Sequence, residues 1–213
     1  MAKSWTHLGI DRRSLGYCRV TFDHPPINTI TATTVLELAE LVGLIEEDAD
    51  LHVVVFSSAN PAFYLAQPED PTGTDSWIEL LVRLSQAPAV SIASIRGRAR
   101  GAGSEFVLAC DMRFASRENT LLGPFAVGPR VAPGGAMARL SRLVGRGRAL
   151  EILLVTDELD GPRAEQYGFV NRLIADGQLD EEVEAIASRL ALFDHDAIAR
   201  TKSYVDQGTL PDA

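Results

Sequence analysis

Cysteine is almost missing from this 213-residue chain, which has only Cys18 and Cys110. Both lie in apolar runs, "YCRVTF" and "LACDMRF", with no metal-ligand spacing between them. They read as small core hydrophobes of a reducing compartment rather than as a disulfide. No apolar run is long enough to span a bilayer, and the opening "MAKSWTHLGIDRR" has no apolar signal core, so a soluble, cytoplasmic protein is expected. Positive charge is scarce too. Lys and Arg total 20 against 29 Asp and Glu, a net charge of -9, which argues against nucleic acid or anionic membrane as partner. The four histidines, His7, His24, His52 and His195, are scattered without metal spacing, so no metal is expected. Gly101-x-Gly103 and Gly145-x-Gly147 lack the third glycine of a dinucleotide-binding turn, Phe106 and Leu150 standing in its place. Ser104 has no G-x-S-x-G elbow around it and no histidine that completes a triad.

What remains is a chain rich enough in apolar residues (46%) to build one sizeable core. "GYCRVTF" (Gly16 to Phe22) reads as a strand and the prolines of "DHPPINTI" as a loop. Val35, Leu36, Leu38, Leu41, Val42 and Ile45 recur at helical spacing, with Thr31 or Thr33 as N-cap. "LHVVVFSS" and "AVSIASI" read as strands buried on both faces. Between them lie a loop from Ala59 to Gly73 and a helix over Trp77 to Leu84. A glycine-rich turn then leads into a short helix, "SEFVLACD", and a strand, "MRFAS". Beyond Gly134 helices dominate, interrupted by the short "FVNRLI". Acidic first turns and basic later residues in the last two helices suit the helix dipole. The pattern predicts one α/β domain with a helical C-terminal segment and no repeat or linker.

The stretch "GRARGAGSEFVLACDMRFAS" (Gly97 to Ser116) stands apart. Its glycines imply a close approach to the backbone, and Glu105 is a lone carboxylate on an apolar run, a setting that raises a carboxyl pKa and suits an acid or base. Arg96, Arg98, Arg100, Arg130, Arg146 and Arg148 flank glycine-rich turns and are candidates for a local phosphate-binding patch. Tyr64 and Tyr167 are candidate pocket donors, with packing as the alternative.

Three stretches together resemble the crotonase superfamily, the enoyl-CoA hydratase/isomerase family. "DHPPINTI" resembles the family's R-P-x-x-x-N-A-[LI] loop. "SIRGRARGAGSEFVLACDMRFAS" is similar to its x-G-x-[AC]-x-G-G-G-x-E-[LF]-x-x-x-C-D-x-x-x-[AS] segment. "VGPRVAPGGAMARLSRLVGRGRALEILL" with "AEQYGFVNRLI" is similar to its G-x-x-P-G-G-G-x-x-x-L-x-x-x-[VI]-G and A-x-x-x-G-[LFW]-V signatures. They span residues 16 to 174 in the family's order. The resemblance implies an α/β fold, a crotonase-like ββα spiral over residues 1–174. It implies a C-terminal helical segment over 175–213, shorter than the family's. It also implies a homo-trimer or hexamer and an acyl-CoA or related small-molecule substrate, with coenzyme A entering as part of the substrate and no separate cofactor.

The family's shared chemistry is stabilisation of a thioester enolate by two backbone N–H groups. Preorganised donors aimed at a developing oxyanion are worth orders of magnitude in rate. By resemblance these donors are Ala102, in the middle position of the family's G-G-G, and Gln67, in "FYLAQPED". Ala66, Gly101, Gly103, Ala126 and Pro133 fall at substrate-lining positions. Glu105 matches the first of two catalytic carboxylates, and Asp111 an aspartate with a structural role. The second carboxylate aligns with Ala126, or with Phe125 when counted from Arg139, and no Asp or Glu lies between Asn119 and Arg139. Glu69 and Asp70 stand where the family often carries a basic residue for the CoA phosphate. The resemblance therefore implies an enolate-forming enzyme with one carboxylate, better suited to double-bond isomerisation than to efficient hydration. Two alternatives stay open: a CoA-independent hydrolase of a diketone C–C bond on the same fold, and a non-catalytic ligand-binding member.

Overall fold

A computed structural model describes residues 5–65, 74–123, 126–127, 130–131, 135–155 and 158–207. The chain starts with a hairpin, β1 (Leu8–Ser14) and β2 (Tyr17–Phe22), followed by α1 (Ala32–Glu47), β3 (Val53–Ser58), β4 (Phe63–Leu65) and α2 (Thr74–Gln86). Then come β5 (Val90–Ala99), α3 (Ala102–Ala109) and β6 (Met112–Leu122), and a small hairpin of β7 (Ala126–Val127) and β8 (Arg130–Val131). The remainder is α4 (Ala136–Val144), α5 (Arg146–Leu154), β9 (Leu159–Asp160), α6 (Gly161–Tyr167), β10 (Arg172–Ile174), a 3-10 turn (Asp176–Gln178), α7 (Leu179–Leu190) and α8 (His195–Gln207).

The main sheet runs β1-β2-β3-β5-β6-β10, with β4 also on β5 and β9 also on β6. From β2 to β10 every neighbouring pair is parallel, and only β1 on β2 and β9 on β6 are antiparallel. A parallel sheet needs cover on both faces, and the strands show why. Val53 and Val55 of β3 pack with Val90, Ile92 and Phe114 beneath Leu179, Val183 and Ala187 of α7. Val54 and Phe56, one residue out of phase, join the larger core on the opposite face with Leu38, Leu41, Leu80, Phe106 and Val107. The continuous apolar run of β3 thus serves two cores.

Local chemistry sets the helix ends. Thr31 caps α1 through a reciprocal box with Thr34: the Thr34 N–H donates to Thr31 Oγ1 (3.3 Å) and the Thr31 N–H to Thr34 Oγ1 (3.1 Å). The choice between Thr31 and Thr33 is settled in favour of Thr31. Asp160 caps α6, and Gly168 closes it in the left-handed conformation.

The structure departs from the sequence reading in the strands. β1 was not anticipated, because its "GIDRR" carries charge rather than apolar alternation, as an edge strand does. β4 lies inside the stretch expected to be loop, held by its pairing to β5. β6 continues to Leu122, well past Ser116, because its second half pairs with β5 and β9. Among the described residues, no helix is long and apolar enough to cross a membrane.

Candidate active site

β5 delivers the chain into α3 through Gly101, whose φ of 53° lies in the region that favours glycine. Ala102, half-buried, is the first residue of α3, so its N–H has no acceptor within the helix. The Gly103 N–H is taken by the Arg100 carbonyl (2.9 Å), whereas the Ala102 N–H meets no backbone acceptor among the described residues. Gly103 is glycine for a spatial reason: a Cβ there would overlap the Leu65 carbonyl. The Arg100 N–H also donates to that carbonyl (3.2 Å), and the Arg98 N–H to the Ala62 carbonyl (2.9 Å). The start of α3 is thereby clamped against the end of β4, two residues before Gln67.

Glu105 sits on the first turn of α3 and is 1% exposed. Its Oε2 accepts the indole N–H of Trp77 from α2 (3.1 Å). Arg139 of α4 lies close by. Its guanidinium donates to the Leu81 carbonyl (3.1 Å). Burial pulls its pKa below the ordinary arginine value, against the opposing charge of Glu105. The carboxylate is therefore held among an indole donor and a half-buried cation, between α2, α3 and α4.

The far end of α3 is fixed as firmly. Arg113, 5% exposed, donates from Nη1 to the Cys110 and Val107 carbonyls (2.7 and 3.3 Å) and from Nε to the Phe169 carbonyl (2.7 Å). A cation on the last carbonyls of a helix satisfies orphan acceptors and complements the dipole. Ser104 Oγ donates to the Ala99 carbonyl (2.6 Å) and accepts from the Gly123 N–H (3.0 Å), tying the ends of β5 and β6 to α3.

Of the residues singled out in the sequence, Gly101, Ala102, Gly103 and Glu105 come together at the start of α3. Ala66, Gln67 and Pro133 lie outside the described residues. Ala126 is described by its backbone alone, paired with Val131 in the β7–β8 hairpin, and Phe125, the other candidate for the second-carboxylate position, lies outside the described residues. Asp111 accepts from the N–H and hydroxyl of Ser91 (2.7 and 2.8 Å) and from Lys202 Nζ (2.8 Å), bonds that join β5, β6 and α8. The arginines with described contacts turn to different places, and the Arg130 side chain lies outside the described residues. Arg96 turns to Asp176 (2.9 Å), Arg98 and Arg100 share Glu158 (3.7 Å each), and Arg148 lies over the Tyr167 ring. Tyr64 is fully buried with its hydroxyl on the Phe56 carbonyl (3.1 Å), and Tyr167 bonds Glu151 (3.0 Å). His24 stacks on His7 at 3.7 Å. Trp77 and Arg139 were not anticipated as neighbours of Glu105; an indole N–H on a helix face otherwise read as core was the available signal.

The family model for enoyl-CoA hydratase/isomerase matches residues 12–212. The short-chain-enoyl-CoA hydratase of Clostridium acetobutylicum is 27% identical over 202 residues, covering 89% of this chain and 77% of its own length. The crotonyl-CoA hydratase of Syntrophomonas wolfei is 26% identical over 200 residues, covering 87% of this chain and 76% of its own. A crystal structure from Streptomyces avermitilis, of a protein assigned as an enoyl-CoA hydratase, superposes with a TM-score of 0.90 at 38% identity, over all of this chain (100%) and 81% of that one. With the expected α/β architecture in place and the match extending over nearly the whole chain, the protein belongs to the enoyl-CoA hydratase/isomerase family and has the crotonase fold.

Proposed function

We propose that this chain is an acyl-CoA-processing enzyme that forms a thioester enolate, with Glu105 as its acid/base and the N–H groups of Ala102 and Gln67 as the oxyanion hole. The observation that carries the reading is the clamp between α3 and β4. It leaves the Ala102 N–H without a backbone acceptor among the described residues, one turn from the buried Glu105. The N-terminal end of α3 adds a positive dipole at the same place. Trp77 and the Arg139 cation fix the carboxylate's position.

The chemistry follows from one carboxylate. Glu105 takes a proton from the carbon next to the thioester carbonyl, and the charge moves to the carbonyl oxygen, where two N–H groups meet it. The same carboxyl then returns the proton two carbons further along, which moves the double bond without net change in composition. Hydration asks for a second group to orient and activate water, and the chain has no Asp or Glu between Asn119 and Arg139. Isomerisation or another enolate reaction is therefore favoured over efficient hydration.

The test is calorimetry with a short series of enoyl-CoAs, followed by turnover assays on the wild type and Glu105→Gln. The expected result is CoA-thioester binding by both proteins and a loss of turnover of at least about a hundredfold in the variant. No CoA binding, with acid released from a cyclic diketone, would replace this reading with C–C bond hydrolysis. Binding without turnover by either protein would make the chain a ligand-binding member.

A further inference from the structure

The sheet face beneath α7 is apolar along only part of its length. Tyr17, Val53, Val55, Val90 and Ile92 pack there against α7. Further along the same inward rows the side chains become polar: Arg19 and Thr21 on β2, Ser57 on β3, Ser94 and Arg96 on β5. With Arg13 of β1 and Asp180 from the first turn of α7 they wall a cavity of about 250 Å³. The floor at Ser94 is buried (3% exposed), Arg19, Thr21, Ser57 and Arg96 are half-buried, and the rim at Arg13 and Asp180 is open to solvent. A row of hydroxyls and guanidiniums where valine would pack costs desolvation unless something polar is bound there.

Asp180 indicates what the cavity recognises. Its Oδ1 accepts from Arg19 (2.6 Å) and its Oδ2 from Arg96 (3.3 Å), so one carboxylate bridges two guanidiniums. That side chain is 56% exposed and reaches in from the rim, so it can swing out. Arg19 also keeps a buried Nε–H that has no acceptor among the described residues. Three other carboxylates balance the three guanidiniums from outside: Asp11 on Arg13 (2.9 Å), Glu184 near Arg19 (3.8 Å) and Asp176 on Arg96 (2.9 Å). The lining itself holds three guanidiniums against one carboxylate.

We propose that this cavity binds a small oxyanion, a phosphate or carboxylate group, which takes Asp180's place between Arg19 and Arg96. Planar guanidiniums present forked N–H donors suited to such oxygens, and the Ser94 hydroxyl supplies a further one. The hydroxyls of Thr21 and Ser57 are bonded to each other (3.2 Å), and that of Ser57 also to the Val20 carbonyl (3.4 Å). Occupancy links β2 to β5 through Arg19 and Arg96 and releases Asp180 of α7, and the site owes nothing to the enolate chemistry on the other face.

The experiment is calorimetry on the full chain at constant ionic strength, with inorganic phosphate and acetate as separate probes. Saturable binding is expected for at least one. Phosphate alone assigns a phosphate group and acetate alone a carboxylate. Asp180→Asn, which removes the internal competitor, tightens binding about threefold. Arg96→Gln weakens it about tenfold or more. Arg13→Gln, whose partner Asp11 is on the surface, weakens binding without endangering the fold. Absence of saturable binding by both anions, or binding indifferent to both arginine substitutions, overturns the proposal.

Discussion

At the scale of single residues, the informative pair is Trp77 and Glu105. A buried carboxylate needs donors, and the indole N–H at 3.1 Å is one of them. Trp77→Phe keeps most of the ring's packing and deletes the donor. It is expected to cost about 2 kcal/mol in a denaturant titration and to lower turnover while leaving the fold intact by circular dichroism. Glu105 was legible in the sequence because one carboxylate inside an apolar run is conspicuous. Its partners were not. Trp77 lies 28 positions away, and on an amphipathic helix it is indistinguishable from a core residue until α2 and α3 are packed together. Gly103 was legible as a close approach, but only the packing of α3 on Leu65 reveals what comes close.

At the scale of elements, two polar attachments hold the C-terminal helices to the sheet. Lys202 of α8 donates from Nζ to the Ala87 and Ala89 carbonyls (2.7 and 2.9 Å) and to Asp111 (2.8 Å). Lys202→Met retains the apolar stem but strands these acceptors, so a loss of about 2–3 kcal/mol is expected from urea midpoints. The 3-10 turn before α7 carries Asp176, whose carboxyl is held down to about 2 by the Ser116 hydroxyl, then by Arg96 and Asn119. Its folded value lies below the ordinary carboxyl value of about 4, so the ionised form is the stabilising one. That contribution is complete above about pH 4 and disappears as pH falls towards about 2. Asp176→Asn should therefore be less stable at neutral pH and show a flatter decline between about pH 4 and pH 2, read as urea midpoints across that range. Helices with apolar periodicity were legible from the sequence. The short strands β4, β7, β8 and β9 were not, because a run of two or three residues has no period and is fixed only by its partner strand.

At the scale of the whole molecule, two cores share the strands of one sheet, so partial opening of either face disturbs the other. The two thiols report on this. Cys18 is pushed up to about 11 and Cys110 further still, both chiefly by burial. Neither is expected to react with a thiol reagent at pH 8 until the chain unfolds, and both should react together in denaturant. Fast labelling of either in native protein would contradict their place in the core. The mixed architecture was legible because alternating buried runs and amphipathic helices leave few alternatives. The spatial order of the strands was not, since parallel pairing leaves no local trace in the sequence.

The two ends of the sheet carry a last consequence. One border is β1, which presents Asp11, Arg12 and Arg13 to solvent, and the other is β10, only three residues long. A foreign strand would find charge at one side and too short a template at the other. Crowding this protein at high concentration should therefore not drive it into β-rich aggregates by sheet extension.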